Sequence, residues 1–228
     1  MVVGGGSAGC VLAARLSEDA GHTVMLVAAG PDHPDVRPLP RDIIDASEPT
    51  VDHDWGYTAD AELDRGIPVP RARIMGGCSA TNACFALRGA PQDHDGWAAF
   101  GSPGCSFAGV LDDFRPLESD EAFRDQWHGS DGLIPIRRHS RSEMNRAPAA
   151  FLDGAVAFGH RYVEDHNRPG AVGAGPTPRN VRDGMRMSTA VTNLALARSR
   201  ANLTIRHDTV AAHVECSGTR ATGIRLLD

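Results

Sequence analysis

The apolar and polar positions of the chain predict strands and helices in alternation at its N-terminal end. Val2 and Val3 run into glycine and read as the end of a strand over residues 1–4. Residues 8–19 place Val11, Leu12, Arg15 and Leu16 on one helical face, with Ala8, Ala13 and Ala14 permitting close approach and Gly21 stopping the helix. TVMLVA, residues 23–28, is a β-rich apolar run of the kind a buried parallel strand shows. Strand, glycine turn, helix and strand within about 30 residues make a βαβ unit. From residue 30 to 70 prolines and aspartates replace the periodicity, which predicts an extended excursion or lid over the surface. A second Gly-rich cluster at residues 76–77 predicts a turn into a helix. Residues 91–130 read as short helices, 132–138 as a strand and 147–159 as an apolar helix ended by glycine. Residues 203–206, 210–216 and 221–227 read as strands, the last two forming a hairpin through Ser217, Gly218 and Thr219.

Composition narrows the function classes. Apolar residues make up 41% of the 228, enough for a globular core, and the net charge of −6 carries no electrostatic footprint for nucleic acid. No apolar run approaches the roughly 18 residues that span a bilayer, so no transmembrane segment is expected. The N-terminus lacks the basic stretch of a signal peptide, and the expected compartment is the cytoplasm. Cys10, Cys78, Cys84, Cys105 and Cys216 are odd in number and without CxxC spacing, which argues against a zinc site and a disulfide framework. The ten histidines include no HExxH or HxH pattern, so they read as ordinary, mostly surface residues, His94, His128 and His160 among them, and no metal site is expected.

The turn GGGSAG carries the first chemistry. Gly4, Gly6 and Gly9 fill the glycine positions of GxGxxG: a tight strand-to-helix turn, a close approach for a pyrophosphate, and close packing of helix on strand. Amides at the helix N-terminus then face the diphosphate, and Ser7 can add a hydroxyl. The second half of the fingerprint is defective. Ala28 stands where an acidic residue should hold the ribose hydroxyls, a loss of roughly 1.5–3 kcal/mol. Asp32, four residues on, is an alternative if the backbone takes a different path.

The next cluster selects the cofactor. Residues 71–89, RARIMGGCSATNACFALRG, followed by PQDHDGW, resemble the flavin-attachment loop of the glucose–methanol–choline (GMC) oxidoreductases. The pattern is met by Arg73, Gly76, Gly77, Cys78, Ser79, Asn82, Arg88, Gly89, Asp93, Asp95 and Trp97, with His94 replacing a tyrosine. HGSDGLIPIRR at 128–138, NVRDGMRMSTAVTNL at 180–194 and the closing RANLTIRHDTVAAHVECSGTRATGIRL resemble further family segments in order. The likeness extends to choline and alcohol dehydrogenase-like members, and in part to those associated with the mycofactocin redox system.

The resemblance implies an α/β fold: a Rossmann-like FAD-binding domain of the GMC/p-hydroxybenzoate hydroxylase type with part of a second α+β substrate domain, truncated. The FAD-binding domain would occupy 1–100, a mixed segment toward the substrate domain 101–185, and a return into the FAD-binding domain 186–228. It implies FAD, bound non-covalently because Thr81 stands where some members carry the attaching histidine. Beyond the glycines and Ser7, the cofactor set is Ala28, Ala29, Arg73, Ile74, Gly76, Gly77 and Ser79, then Asn82, Ala83, Cys84 and Phe85, with the Val210 backbone at the adenine. Cys78 and Cys84 read as small packing residues, and Trp97 and Trp127 as core or interdomain anchors.

The implied activity is FAD-dependent oxidation of the CH–OH group of a small-molecule alcohol, by hydride transfer to flavin N5. The family's histidine pair would lie beyond residue 228, so no catalytic residue is named, and the chain reads as an N-terminal portion that needs a C-terminal half or partner chain. Two alternatives stand beside it: a non-catalytic nucleotide-binding remnant, and an NAD-dependent Rossmann dehydrogenase, against which the GGCSATN loop argues.

Overall fold

The computed structural model describes residues 1–35, 39–47, 49–60 and 66–227. The chain divides into two compact units, residues 1–83 with 184–228 and residues 84–183. The sequence placed these divisions near residues 100 and 185.

The first unit is built on a three-stranded parallel sheet. Val24–Val27 lies between Val2–Val3 and Leu203–Arg206, with Leu26 opposite both Val2 and Ile205. The β-branched run that predicted the middle strand is thus buried from both edges. Helix Ser7–Leu16 covers the sheet with its small residues, Gly9, Cys10, Ala13 and Ala14. This reverses the predicted face: Leu12 and Leu16 are 51% and 47% exposed. A helix that approaches a sheet this closely needs small side chains at the contact, and closeness outweighed hydrophobicity in choosing the face.

The helix ends at Ser17, whose hydroxyl donates to Ala14 O at 3.0 Å and accepts from Arg200 Nη1 at 2.9 Å. Asn202 secures the following loop by donating to the carbonyls of Ser17, Asp19 and His22. The core joins Val2, Cys10, Ala13, Leu26, Ala28 and Met75 to Leu194, Ala197 and Leu203. Leu194 and Ala197 come from a helical stretch, a π turn Ala190–Leu194 running into Ala195–Ala197, which the periodicity did not signal.

The predicted excursion of residues 30–70 is in part a packed segment. Arg41–Ile44 forms one short helix that buries Ile43, and Leu39 and Ala46 are buried beside it. Thr58–Ala59 pairs antiparallel with Ile67–Pro68. Four helical residues are too few to display a period, so the sequence reads there as irregular. The hairpin forms as Ala211–Ser217 against Arg220–Leu226, turning at Gly218 with φ +60°. It lies one residue from the predicted bounds.

The second unit holds helices Pro91–Ala99, Phe107–Leu117 and Arg146–Ala157 and a parallel pair, Glu118–Asp120 with Ile134–Ile136. Asp93 accepts from the Ala90 N–H to open the first helix, and Ser106 caps the second through the Gly109 N–H. Gly159, at φ +103°, follows the third. Trp97 is exposed, whereas Trp127 packs its ring 6.3 Å from that of Phe107. A cavity of about 1050 Å³ opens in this unit, its wall including Phe85, Met144, Phe151, Phe158 and Arg179.

Candidate cofactor site

The strand Val2–Val3 delivers the chain to Gly4, which adopts φ +97° and donates its N–H to Val27 O at 2.8 Å. Helix Ser7–Leu16 follows with Gly6 as N-cap, without a capping side chain and without an acidic residue in its first turn. Such an end presents backbone N–H groups and the positive pole of the helix to an anion. A Cβ on Gly9 would lie 1.8 Å from Gly4 O, whereas one on Gly6 would meet nothing within 4 Å. Gly9 therefore closes the turn on the helix, and Gly6 marks its open side. Behind them Cys10 Sγ donates to Gly5 O, and burial pushes this thiol up to about 11, so it is a neutral packing group.

The second glycine cluster lies directly over this turn. Gly76 and Gly77 take φ +92° and +54°, and a Cβ on Gly77 would stand 2.6 Å from Gly6 Cα. Gly76 donates its N–H to Gly5 O at 2.7 Å. Ser7 Oγ donates to Gly76 O and accepts from the Ser79 N–H at 3.2 Å, while Ser79 Oγ donates to Gly76 O at 2.6 Å. Thr189 joins them by donating its N–H to Ser79 Oγ at 3.1 Å. Three segments far apart in sequence meet here. The helix predicted after residues 76–77 is a single 3-10 turn, Gly77–Ala80, which ends where Thr81 leaves helical geometry at φ −126°. Thr189 went unassigned in the sequence, although its segment, 180–194, stood out as a motif.

Around this centre, Ile74 is buried with Ile43 and Ala80. Arg73 is exposed, donates from Nε to Ala29 O at 3.2 Å and lies 5.0 Å from the Trp55 ring. Asn82 follows the 3-10 turn, exposed, its N–H donating to Cys78 O, and Ala83 comes next, half-buried. Val210 O accepts from the Leu227 N–H, and Thr209 donates to Ala28 O. Cys84 and Phe85 belong to the second unit; Cys84 is buried at φ +63° and Phe85 is exposed. Ala28 is 3% exposed and offers no polar atom beyond its backbone. Asp32 does not replace the missing acid, because both its oxygens are held by Arg198 at 2.7 Å.

The second unit contains a charged centre that the sequence did not signal. His128, which the sequence reads as an ordinary polar residue, is 4% exposed. Its Nδ1 lies 3.1 Å from Glu118 and 3.3 Å from Asp120, and its Nε2 2.8 Å from Asp165. Arg138 bridges Asp120 and Asp165, and Arg88 pairs with Glu118 at 2.7 Å. Burial is the largest influence on His128 and opposes its charge, but hydrogen bonds to the three carboxylates outweigh it and push the imidazole up to about 11. Burial likewise works against the charge on Asp120, yet His128 and Arg138 hold that carboxyl well below its usual range. Glu118, Asp120 and His128 have ligand atoms within 4.8 Å of one another. The imidazolium and two guanidiniums already supply the positive charge a metal ion would bring. His94 is also buried, its ring edge-on to Trp97 and Phe114.

An open, uncapped helix N-terminus under a glycine loop suits the diphosphate of a dinucleotide, and the hydroxyls of Ser7 and Ser79 add donors beside it. The family model for GMC oxidoreductase matches residues 1–228. The chain belongs to the GMC oxidoreductase family. An uncharacterized GMC-type oxidoreductase of Rhodococcus erythropolis is 33% identical over all of this chain and 46% of its own length. The oxygen-dependent choline dehydrogenase of Brucella anthropi is 31% identical over 99% of this chain and 41% of its own. Among solved structures, pyridoxine 4-oxidase from Mesorbium loti superposes with a TM-score of 0.90 at 30% identity, over 99% of this chain and 45% of that one. An FAD-dependent oxidoreductase from Chaetomium thermophilum, 23% identical, shares the fold with a TM-score of 0.88. The chain thus spans less than half the length of these relatives. Membership of the family supports FAD as the cofactor of this GMC oxidoreductase chain.

Proposed function

We propose that this chain is the FAD-binding portion of an enzyme that oxidises the CH–OH group of a small-molecule alcohol. The observation that carries the reading is the open face at Gly6, an uncapped helix end roofed by Gly76 and Gly77 and fastened through Ser7, Ser79 and Thr189. The amides at Gly6 and Ser7 would hold the diphosphate, and the glycine pair would bring backbone against the flavin. Asn82 supplies an amide that both donates and accepts at the flavin's polar edge. FAD, when bound, supplies the hydride acceptor, and the protein supplies position and electrostatics. Thr81 at the attachment position favours non-covalent binding.

Two relatives are named for oxidising choline and pyridoxine, both small polar alcohols, which supports that substrate class. No residue of this chain is assigned as catalytic base. Turnover is proposed to need a polypeptide equivalent to the remaining half of the relatives. The cytoplasm is the proposed compartment, in keeping with five free cysteines; no helix among the described residues is long and apolar enough to cross a membrane.

The test is direct. Purified protein incubated with FAD and passed through a desalting column should emerge yellow with near-stoichiometric flavin. Protein that stays colourless at every FAD concentration overturns the reading. Ala28 favours a second one, in which the chain binds nucleotide too weakly to retain it. Thermal protection by FAD without retention on the column would select that one, and protection by NADH instead would point to a nicotinamide enzyme.

A further inference from the structure

Arg186 is 2% exposed, among the largest side chains the fold hides completely. It belongs to the strand Met185–Arg186, whose Met185 bridges to Asp45. Its guanidinium gathers backbone carbonyls from two other segments. Nε donates to Asn82 O at 2.9 Å, and Nη1 lies 3.0 Å from each of Asp42 O, Ile43 O and Ala80 O.

These carbonyls share an origin. Asp42 and Ile43 belong to the short helix Arg41–Ile44, and Ala80 closes the 3-10 turn Gly77–Ala80, with Asn82 two residues beyond. The last carbonyls of a helix have no partner within it and form its negative pole. Here the ends of two short helices converge on one cation. A planar guanidinium with five donors in fixed directions can serve several such oxygens at once, which an ammonium point charge does less well. Neither helix is long enough to hold its own shape in isolation.

We propose that Arg186 is the positioning residue of the flavin loop: it fixes the path of residues 80–82 before the cofactor arrives and so sets how tightly FAD binds. Buried beneath the loop, it acts through the backbone that carries Asn82. The inference rests on the FAD reading above and adds to it a residue that the cofactor does not touch.

The experiment compares wild-type protein with Arg186→Lys and Arg186→Met. FAD affinity is read from quenching of flavin fluorescence, loop order from amide hydrogen exchange at residues 80–83, and folding from far-ultraviolet circular dichroism. Arg186→Lys should stay folded, bind FAD about tenfold more weakly, as for the loss of one charge-assisted hydrogen bond, and be rescued only partly relative to Arg186→Met. Exchange at 80–83 should quicken while exchange in strands 24–27 and 203–206 stays at the wild-type rate. The circular dichroism of the bound flavin should change with it. Unchanged affinity, or exchange that quickens equally in loop and sheet, overturns the proposal. If Arg186→Met does not fold, Arg186→Lys decides. Wild-type protein that takes up no FAD overturns the cofactor reading instead, and exchange at 80–83 then still decides whether Arg186 holds the loop.

Discussion

Ser79 Oγ and Thr189 Oγ1 lie 3.2 Å apart although 110 residues separate them. The direction of this bond follows from its neighbours. Ser79 spends its single hydroxyl proton on Gly76 O at 2.6 Å, so Thr189 Oγ1 donates, as the Thr189 N–H does at 3.1 Å. One serine oxygen therefore receives both donors of Thr189 and ties the flavin loop to the segment that follows Arg186.

Removing that oxygen leaves the N–H of the buried Thr189 without its acceptor. Ser79→Ala should lower stability by about 1–3 kcal/mol and weaken FAD binding, because the loop loses its anchor and Gly76 O loses a donor. Urea unfolding and FAD titration together check this. A variant that matches wild type in both denies the bridge any role.

The two glycines of the turn should separate stability from binding. Gly6 has φ −76° and ψ −168°, and a methyl there meets nothing within 4 Å. Gly6→Ala should leave the melting temperature unchanged or slightly raised, since alanine narrows the unfolded ensemble. The methyl would occupy the side from which the diphosphate approaches, so FAD affinity should fall about tenfold or more. Gly9→Ala should do the opposite first, losing about 3 kcal/mol because its methyl collides with Gly4 O. Equal loss of stability in both variants would contradict the assignment of Gly6 as the open face.

Asp32 gives a third contrast. Its two-pronged pair with Arg198 is largely buried, so Asp32→Asn should cost about 3 kcal/mol or more by stranding the guanidinium. FAD affinity, measured well below the melting temperature, should hold within about twofold, because that carboxylate serves the fold. A tenfold loss of affinity would return Asp32 to the ribose.

How much of this was legible in the sequence depends on what each feature leaves in the pattern. The βαβ unit was readable because Val2–Val3, GGGSAG and TVMLVA combine strand runs with glycines whose roles are steric. The glycine loop was readable by its resemblance to the family. The face of helix Ser7–Leu16 was misread because apolar spacing ranks Leu12 and Leu16 above Gly9 and Ala13, while contact distance ranks them the other way. Arg186 and Thr189 lie in a motif that the resemblance picks out, but Arg186 works on backbone oxygens, which leave no trace in residue types, and Thr189 meets a serine oxygen 110 residues away. His128 is the sharpest case. Its carboxylate partners Glu118, Asp120 and Asp165 are charged residues scattered over nearly fifty positions, and only the fold gathers them.

That histidine should govern how stability responds to pH. Both its ring nitrogens face carboxylate oxygens, so both must carry protons, and Arg138 and Arg88 complete the surrounding charge. Against an ordinary value of 6.5, the folded imidazole is raised to about 11, so its contribution is complete below pH 6.5 and is lost as pH rises toward about 11. Asp165 runs the other way. Burial works against its charge, but hydrogen bonds from His128 and the Asn167 N–H lower it from 3.8 to about 2, so its contribution is complete above pH 3.8 and is lost as pH falls through about 2. Stability of the second unit should therefore peak between roughly pH 4 and 6.5 and decline on the alkaline side. Calorimetry at about pH 5, 8 and 10 should show the melting temperature falling in wild type. In His128→Gln it should start lower, because carboxylates left without their cation cost about 3–5 kcal/mol of stability, and fall less steeply with pH. A His128→Gln variant whose melting temperature keeps the full wild-type slope would show that the imidazolium is not the group being titrated.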